Sequence, residues 1–346
     1  MELDGINAFK ESFPSLESYW RAVILFGRNT ASYKFALAKS ILEMCKAGKS
    51  TISLEELAVP FAQHLCRHMA QAPKQGTTPT NSLLKACKGY NEGQLSAEQL
   101  HNVTVNQGFN YVLDAFHKVN GEDIPVSFFQ KDFTPQEKKI ILTDEIFKLL
   151  DTPFRDNFSA ETEARWNLVE TAWELGVSRN LLNVHYDDHS KLFFVNSTLR
   201  RKDVTSARDA LNGYQKGKCF YCFDDISVTG QESQLCDVDH FFPHTLQAQF
   251  KHVNLDGVWN LVLTCPNCNR GTDGKFARVP AVKYLERLRR RNEFLIASHH
   301  PLRETIIQQT GNSTEARQHF LAETDKMAIN ALIHRWETPL KGDEIF

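Results

Sequence analysis

Apolar residues recur at spacings of three and four over most of the first 180 positions, which is the period of an amphipathic α-helix. This pattern predicts helices over 16–26, 33–44, 54–69, 109–117, 137–150 and 161–175. Glycines and prolines mark the breaks between them. We therefore expect an all-helical N-terminal domain over residues 1–160.

The period changes to two further along the chain. The segment 235–243, Leu-Cys-Asp-Val-Asp-His-Phe-Phe-Pro, places apolar residues at alternate positions, and 260–264 is a second short apolar run. Both segments predict strands. A hairpin is predicted over 181–196, and helices over 203–215, 282–298, 302–309 and 314–336. The fold class expected is mainly α, with an α+β C-terminal domain over residues 161–346.

Four cysteines form two Cys-x-x-Cys pairs, Cys219 with Cys222 and Cys265 with Cys268, and 42 residues lie between the pairs. Two such pairs supply the four thiolates of a tetrahedral structural zinc site. The alternative is a redox dithiol, but that chemistry uses one pair and leaves the second unexplained. The sequence therefore predicts bound Zn²⁺. Cys236 is offset from both pairs and is expected to be a small buried hydrophobe.

Asp239 and His240 lie between the two cysteine pairs. Consecutive residues of a strand point to opposite faces, so the carboxylate and the imidazole are expected to have different roles. One would hold a metal and the other would face a water molecule. Asn260 opens the second strand and is expected to lie opposite the first.

The segment 217–278 resembles the HNH endonucleases, whose core is a ββα-metal unit. The resemblance rests on Asp-His-x-x-Pro (239–243), Asn-Leu-x-x-x-Cys (260–265) and Cys-x-x-Cys-Asn-x-x-x-x-x-Lys (265–275). The chain departs from the family name at Asn269, which stands where the last histidine is expected and offers a neutral oxygen.

This resemblance implies a metal-dependent endonuclease that hydrolyses phosphodiester bonds and nicks duplex DNA. His240 would be the general base, and Asp239 and Asn269 would hold Mg²⁺ or Mn²⁺. Asn260 would orient His240, and Lys275 or Arg270 would neutralise phosphate. The layout is also similar to effector nucleases of bacterial anti-phage defence systems, such as the Zorya type. Protein partners would then bind the N-terminal domain.

Two other functions are compatible with these residues. One is a non-catalytic zinc ribbon that binds nucleic acid or protein, in which Asp239, His240 and Asn269 are structural. The other is an RNA-cleaving toxin whose helical front binds an immunity protein.

The net charge of −2 requires any affinity for nucleic acid to be local,. The basic residues of the predicted helix 282–298 are Lys283, Arg287, Arg289, Arg290 and Arg291. We expect this surface, Arg287, Arg290 and Arg291 above all, to contact DNA, the alternative being a solvated helix face. The chain shows neither a signal peptide nor an apolar run long enough to span a bilayer. A cytoplasmic protein without membrane contact is therefore expected.

The remaining histidines carry weaker signals. His64 and His68 lie four apart on a predicted helix, but no third metal ligand is evident, so packing or surface roles are favoured. His185 and His189 fit a hairpin with a polar turn. His244 is as compatible with a solvent-exposed helix start as with a phosphate contact.

Overall fold

The computed structural model describes residues 15–26, 31–76, 81–119, 122–152, 155–174, 184–196, 201–229, 235–297, 300, 302–339, 342 and 345–346. These residues form two compact units, 15–174 and 184–346. The chain is mainly helical, with several small sheets.

Helices make up most of the unit 15–174. They are α1 (Leu16–Phe26), α2 (Tyr33–Lys46), α3 (Leu54–Gln71), α4 (Ser82–Asn91), α5 (Ala97–Val103), a π-helix (Thr104–Gly108), α6 (Val112–Ala115), α7 (Asp144–Leu150) and α8 (Asp156–Glu174). Side chains of Ser53, Asn81 and Ser96 accept hydrogen bonds from the first turns of α3, α4 and α5. Each cap satisfies N–H groups that have no partner inside the helix.

The prediction that this unit is entirely helical is wrong. The strands β1 (Thr51–Ser53), β4 (Phe129–Phe133) and β5 (Lys138–Leu142) form a sheet in the order β1-β5-β4, and β2 (Lys118–Val119) pairs with β3 (Glu122–Asp123). The helix expected over 137–150 is two elements, β5 and α7. Ile140 and Leu142 are buried whereas Ile141 is 39% exposed, which is the alternation of a strand.

The helix expected over 109–117 is also shorter. Only α6 is α-helical there, and it follows the π-helix after a turn. The predicted domain division after residue 160 stays a prediction. In the structure α8 continues from Asp156 to Glu174, and it packs within the unit 15–174.

The unit 184–346 contains the cysteine pairs. Its strands are β6 (His185–Asp187), β7 (Leu192–Asn196), β8 (Arg201–Ser206), β9 (Asp237–His240), β10 (Leu261–Thr264), β11 (Val279–Pro280) and β12 (Arg335–Trp336). Its α-helices are α9 (Ala207–Gln215), α10 (Pro266–Arg270), α11 (Val282–Ala297), α12 (Arg303–Thr310) and α13 (Thr314–Leu332). Short 3₁₀ helices span His244–Gln249 and Val258–Asn260.

The hairpin expected over 181–196 corresponds to β6 and β7, and 181–183 lie outside the described residues. The helix expected from residue 203 begins at Ala207, because β8 adds a third strand to this hairpin.

Two antiparallel strands followed by a short helix form the centre of this unit. β9 pairs with β10 in a register that sets His240 against Leu261 and Asp237 against Thr264. β9 lies inside the segment predicted from alternation, and β10 lies inside the second short apolar run. β10 leads through Cys265 into α10, which brings the second cysteine pair beside the end of this two-stranded sheet. Among the described residues, no helix is both long and apolar enough to cross a membrane.

Candidate metal centre and histidine site

The four cysteines predicted as zinc ligands converge in the structure. The sulfur atoms of Cys219, Cys222, Cys265 and Cys268 all lie within 4.8 Å of one another, and all four residues are buried. The Cys222 and Cys265 sulfurs are 3.7 Å apart. Two thiolates on one tetrahedral zinc are separated by about 3.8 Å, because Zn–S bonds are about 2.3 Å long. The donor set and its spacing therefore fit a metal ion such as zinc.

Local backbone geometry explains how each pair turns towards the centre. Positive φ angles at Lys216, Gly217 and Phe223 bend the chain before and after the first pair. In the second pair, Cys265 is the N-cap of α10, and its sulfur accepts a hydrogen bond from the Cys268 N–H at 3.4 Å. Backbone N–H groups directed at sulfur stabilise the thiolate form that binds metal.

Arg287 and Arg291, predicted to contact DNA, are buried instead. Arg287 donates to the backbone carbonyl groups of Phe220 and Tyr221 beside the first cysteine pair. Arg291 donates to the carbonyl of Trp259 at 2.9 Å, and burial lowers the pKa of its guanidinium to about 10. In the structure, these donors bond carbonyl groups inside the fold, and the contact of the two residues with DNA stays a prediction.

Asp239 and Lys275 form a buried ion pair. Lys275 Nζ lies 3.0 Å from Asp239 Oδ1 and also donates to the His240 carbonyl at 2.9 Å. The second carboxylate oxygen of Asp239 accepts from the Tyr221 hydroxyl at 2.9 Å. Lys275 has no exposed surface and is bonded inside the fold, and its binding of phosphate stays a prediction. Both oxygens of Asp239, the predicted cation ligand, are already bonded.

Asp237 occupies the position next to Asn269 that was predicted for Asp239. Asp237 Oδ2 is 3.1 Å from Asn269 Nδ2 and 2.9 Å from Arg270 Nε. Asp237 precedes Asp239 by two on β9, so both side chains leave the same face of the strand. Asp237 is partly exposed, as is Asn269, whereas Asp239 is buried.

His240 is surrounded by acidic and aromatic side chains. Its Nε2 lies 2.9 Å from Asp256 Oδ1, and its Nδ1 lies 3.9 Å from Asp188 Oδ1. The His244 ring is stacked against it at 5.5 Å, and His244 Nε2 lies 3.7 Å from Asp256 Oδ1. The hydrogen bond to His240 is the main cause that holds the pKa of Asp256 below its usual value. The predicted base therefore sits in a polar cluster that includes His244.

Asn260 is fully buried and acts on the backbone around His240. Its side chain accepts from the Phe242 N–H at 2.8 Å, donates to the Phe242 carbonyl at 3.0 Å, and donates to the Leu255 carbonyl at 2.8 Å. The prediction that Asn260 orients His240 stays a prediction, but the amide does fix the chain two residues after His240.

Other candidate ligands do not join a second centre. Within the described parts of the chain, the four cysteines are the one group of three or more His, Cys, Asp or Glu side chains whose donor atoms are close enough to share an ion. His64 lies 2.9 Å from Glu43, and His68 lies between Glu163 and Glu170. Cys236 is buried outside the cluster, and burial raises the pKa of its thiol to about 12.

Sequence reasoning missed Asp256, Asp188, Tyr221 and Asp237. Asp237 carried a signal, because it shares a strand face with Asp239. Asp256 and Asp188 reach His240 from a connection and a hairpin turn, which no periodicity links to β9. Compared with protein-family models, curated proteins and solved structures, the chain has no match.

Proposed function

We propose that the unit 184–346 is a metal-dependent phosphodiester hydrolase of the HNH type, which nicks duplex DNA. The observation that supports this best is the environment of His240. An imidazole at the end of a strand is hydrogen-bonded through one ring nitrogen to Asp256, and the same strand carries the carboxylates Asp237 and Asp239.

A histidine is suited to the first chemical task of hydrolysis. Its unperturbed pKa allows it to take a proton from water near neutral pH. His240 is 8% exposed, while its neighbours Asp188 and His244 are partly or largely exposed. Water and substrate therefore reach the imidazole from the side of these two residues.

Asp237 and Asn269 are the residues that best fit a divalent cation. Two oxygen ligands at right angles on Mg²⁺ are about 3.0 Å apart, because Mg–O distances are about 2.1 Å. The Asp237 oxygen and the Asn269 amide nitrogen are 3.1 Å apart, and a rotation of the amide group would present its oxygen instead. A cation held there would bind the scissile phosphate and stabilise the leaving oxygen. Asp239 could join only if Lys275 released it.

The phosphate backbone would be bound by exposed arginines. Arg270 and Arg290 are exposed, in contrast to Arg287 and Arg291. Arg270 lies on α10 directly after Asn269, so a phosphate at Asn269 is within its reach. We propose these two exposed residues of the predicted set as DNA contacts.

One observation favours a second function. The Lys275–Asp239 pair gives Asp239 a structural role, as expected if the metal-bound module only binds nucleic acid or protein. Such a module would keep its affinity after His240→Ala and would cleave nothing.

Conversion of supercoiled plasmid to open circles separates the two functions. We would compare wild type, His240→Ala and His252→Ala, with Mg²⁺, with Mn²⁺ and without added divalent cation. His252 is an exposed histidine of the same β9–β10 connection and is the matched control. Omission of the cation is preferable to a strong chelator, because a chelator would also remove zinc. Open circles from wild type and His252→Ala alone, and only with metal, would establish the hydrolase.

Two arms of the same experiment test the substrate. Cleavage of single-stranded or structured RNA with duplex DNA spared would overturn the DNA proposal and favour the toxin. Protein partners at the unit 15–174, and a role in anti-phage defence, stay predictions from the layout of the sequence.

A further inference from the structure

We propose that Asp256 is the positioning residue of His240, fixing which ring nitrogen carries the proton. This inference rests on the proposed function. Asp256 Oδ1 lies 2.9 Å from Nε2 of His240, which is within hydrogen-bond distance. Asp188 Oδ1 lies 3.9 Å from Nδ1, which is beyond it.

The unequal distances select one tautomer. A neutral imidazole carries one proton, and this proton stays on the ring nitrogen that faces the better acceptor. The proton is therefore on Nε2, directed at Asp256, and the lone pair on Nδ1 is the base. A water about 2.8 Å from both Nδ1 and Asp188 Oδ1 satisfies ordinary hydrogen-bond geometry.

Asp188 is less suited to accept from the ring, because other groups already engage it. Its Oδ1 lies 2.6 Å from Lys191 Nζ and accepts from the Tyr186 hydroxyl at 3.3 Å. Among the described residues, no lysine or arginine forms an ion pair with Asp256: Lys191 acts on it only as the weakest of its charge interactions, and His244 Nε2 is 3.7 Å away. The carboxylate of Asp188 therefore has more competing hydrogen-bond donors than the carboxylate of Asp256.

The backbone around Asp256 is fixed by the same amide that fixes the chain after His240. Asn260 donates to the carbonyl of Leu255, the residue before Asp256, and makes two hydrogen bonds to Phe242. The Leu255 N–H donates to Gln247 Oε1 at 2.8 Å, and the Asp256 N–H donates to Asn254 Oδ1 at 3.0 Å. Asn260 therefore sets the spacing between the imidazole and its carboxylate.

The direct test is the tautomer of His240 in the full chain labelled with ¹⁵N-histidine. Long-range ¹H–¹⁵N correlation distinguishes Nε2–H from Nδ1–H, and the His240 signals are assigned by their loss in His240→Gln. We expect Nε2–H in wild type and a mixture of tautomers in Asp256→Ala. An Nδ1–H ring in wild type, or an unchanged tautomer in Asp256→Ala, would overturn the proposal.

Plasmid nicking supplies the second readout. Asp256→Ala and Asp256→Asn should lower kcat by roughly tenfold or more, since a correctly oriented base contributes a factor of about 10² to 10⁴. KM and the Mg²⁺ concentration for half-maximal rate should stay within about twofold of the wild-type values. A general loss of structure would change both. Asp256→Glu should recover part of kcat. Glu323→Gln, at an exposed glutamate of α13, is the control for a lost carboxylate.

Failure of this proposal and failure of the hydrolase are separable. If wild type cleaves nothing, the proposed function fails, and the tautomer still reports whether Asp256 holds the ring. If wild type nicks DNA and Asp256→Ala matches it in kcat, only the positioning role is lost.

Discussion

Lys275 Nζ lies 3.0 Å from Asp239 Oδ1, and neither side chain is more than 7% exposed. Removing one partner of a buried ion pair leaves the other charged and unpaired. Lys275→Met should therefore destabilise the unit 184–346 by about 3–5 kcal/mol, measured by denaturant unfolding. Lys326→Met, at an exposed lysine 4.0 Å from Glu323, should change it by less than about 0.5 kcal/mol. Equal losses of stability in Lys275→Met and Lys326→Met would contradict a structural role for the buried pair.

The position of Asp237 beside Asn269 leads to a prediction about the catalytic cation. Asp237→Asn should raise the Mn²⁺ concentration for half-maximal nicking by roughly tenfold or more, without lowering the unfolding midpoint. Asp239→Asn should lower that midpoint, because it leaves Lys275 unpaired. Asp273→Asn, at an exposed carboxylate after α10, is the control. If Asp237→Asn keeps the metal dependence of wild type, the cation belongs elsewhere, with Asp239 the next candidate.

The convergence of four thiols predicts a stoichiometric metal. Purified wild type should contain one zinc per chain by elemental analysis, and Cys222→Ser should contain less than half of that. Because a structural zinc contributes folding free energy directly, Cys222→Ser should also unfold more readily. The matched control is Cys236→Ser, a buried cysteine outside the cluster, which should keep its zinc. Zinc lost equally from both variants would point to general unfolding.

Helix α11 carries arginines of two kinds. Arg290 is proposed to bind DNA, whereas Arg287 stabilises the fold. Arg290→Ala should weaken binding to a DNA duplex and reduce the slope of log K against log salt by about one, with stability within about 0.5 kcal/mol of wild type. Arg287→Ala should destabilise the unit by about 1–3 kcal/mol, because the carbonyl groups of Phe220 and Tyr221 lose their donor. Fluorescence anisotropy over a salt series and denaturant unfolding measure the two effects. A larger loss of DNA affinity in Arg287→Ala, with stability intact, would restore the original prediction.

The basic helix shows where sequence reasoning succeeded and where it did not. Its limits were predicted almost to the residue, because apolar positions three and four apart repeat over four turns. The roles of its arginines were not, although Arg287 and Arg291 fall on the same stripe as Tyr284, Leu288 and Leu295. The charge of these two arginines suggested that they face solvent, whereas their position on the apolar stripe indicated that they are buried in the core. Position agrees with the burial of both residues, since backbone carbonyl groups beside the cysteine cluster and at Trp259 need donors.

The four-cysteine cluster was predictable from sequence spacing alone, because each Cys-x-x-Cys pair places two thiols on one tight turn. Strand β9 was predictable from alternation and β10 from a short apolar run, which is buried throughout. β5 did not, because Lys138–Leu142 runs almost directly into α7 and the combined apolar pattern fits a helix. The carboxylates around His240 were out of reach for a different reason. Asp256 and Asp188 approach it through tertiary contacts, which neither propensity nor periodicity encodes.

A buried histidine in the unit 15–174 leads to the last prediction. The His68 ring is stacked on Trp166, its Nδ1 lies 3.0 Å from Glu170 and its Nε2 lies 3.1 Å from Glu163. Burial opposes the charged ring, but hydrogen bonds and charge interactions with the two glutamates outweigh it and raise the pKa of His68.

The sign of the effect on stability follows from that direction. A histidine whose pKa is raised by folding stabilises the folded state fully below the unfolded pKa, about 6.5, and this contribution is lost as pH rises through the folded pKa. The unfolding free energy of wild type minus that of His68→Gln should therefore be larger at pH 6 than at pH 9. Hydrogen exchange of residues 15–174 measures it for this unit. The variant difference also subtracts most of the opposite contribution of His64, whose pKa is lowered to about 3 mainly by burial and only in part by His68. A difference that grows with pH would mean that His68 is neutral in the folded chain.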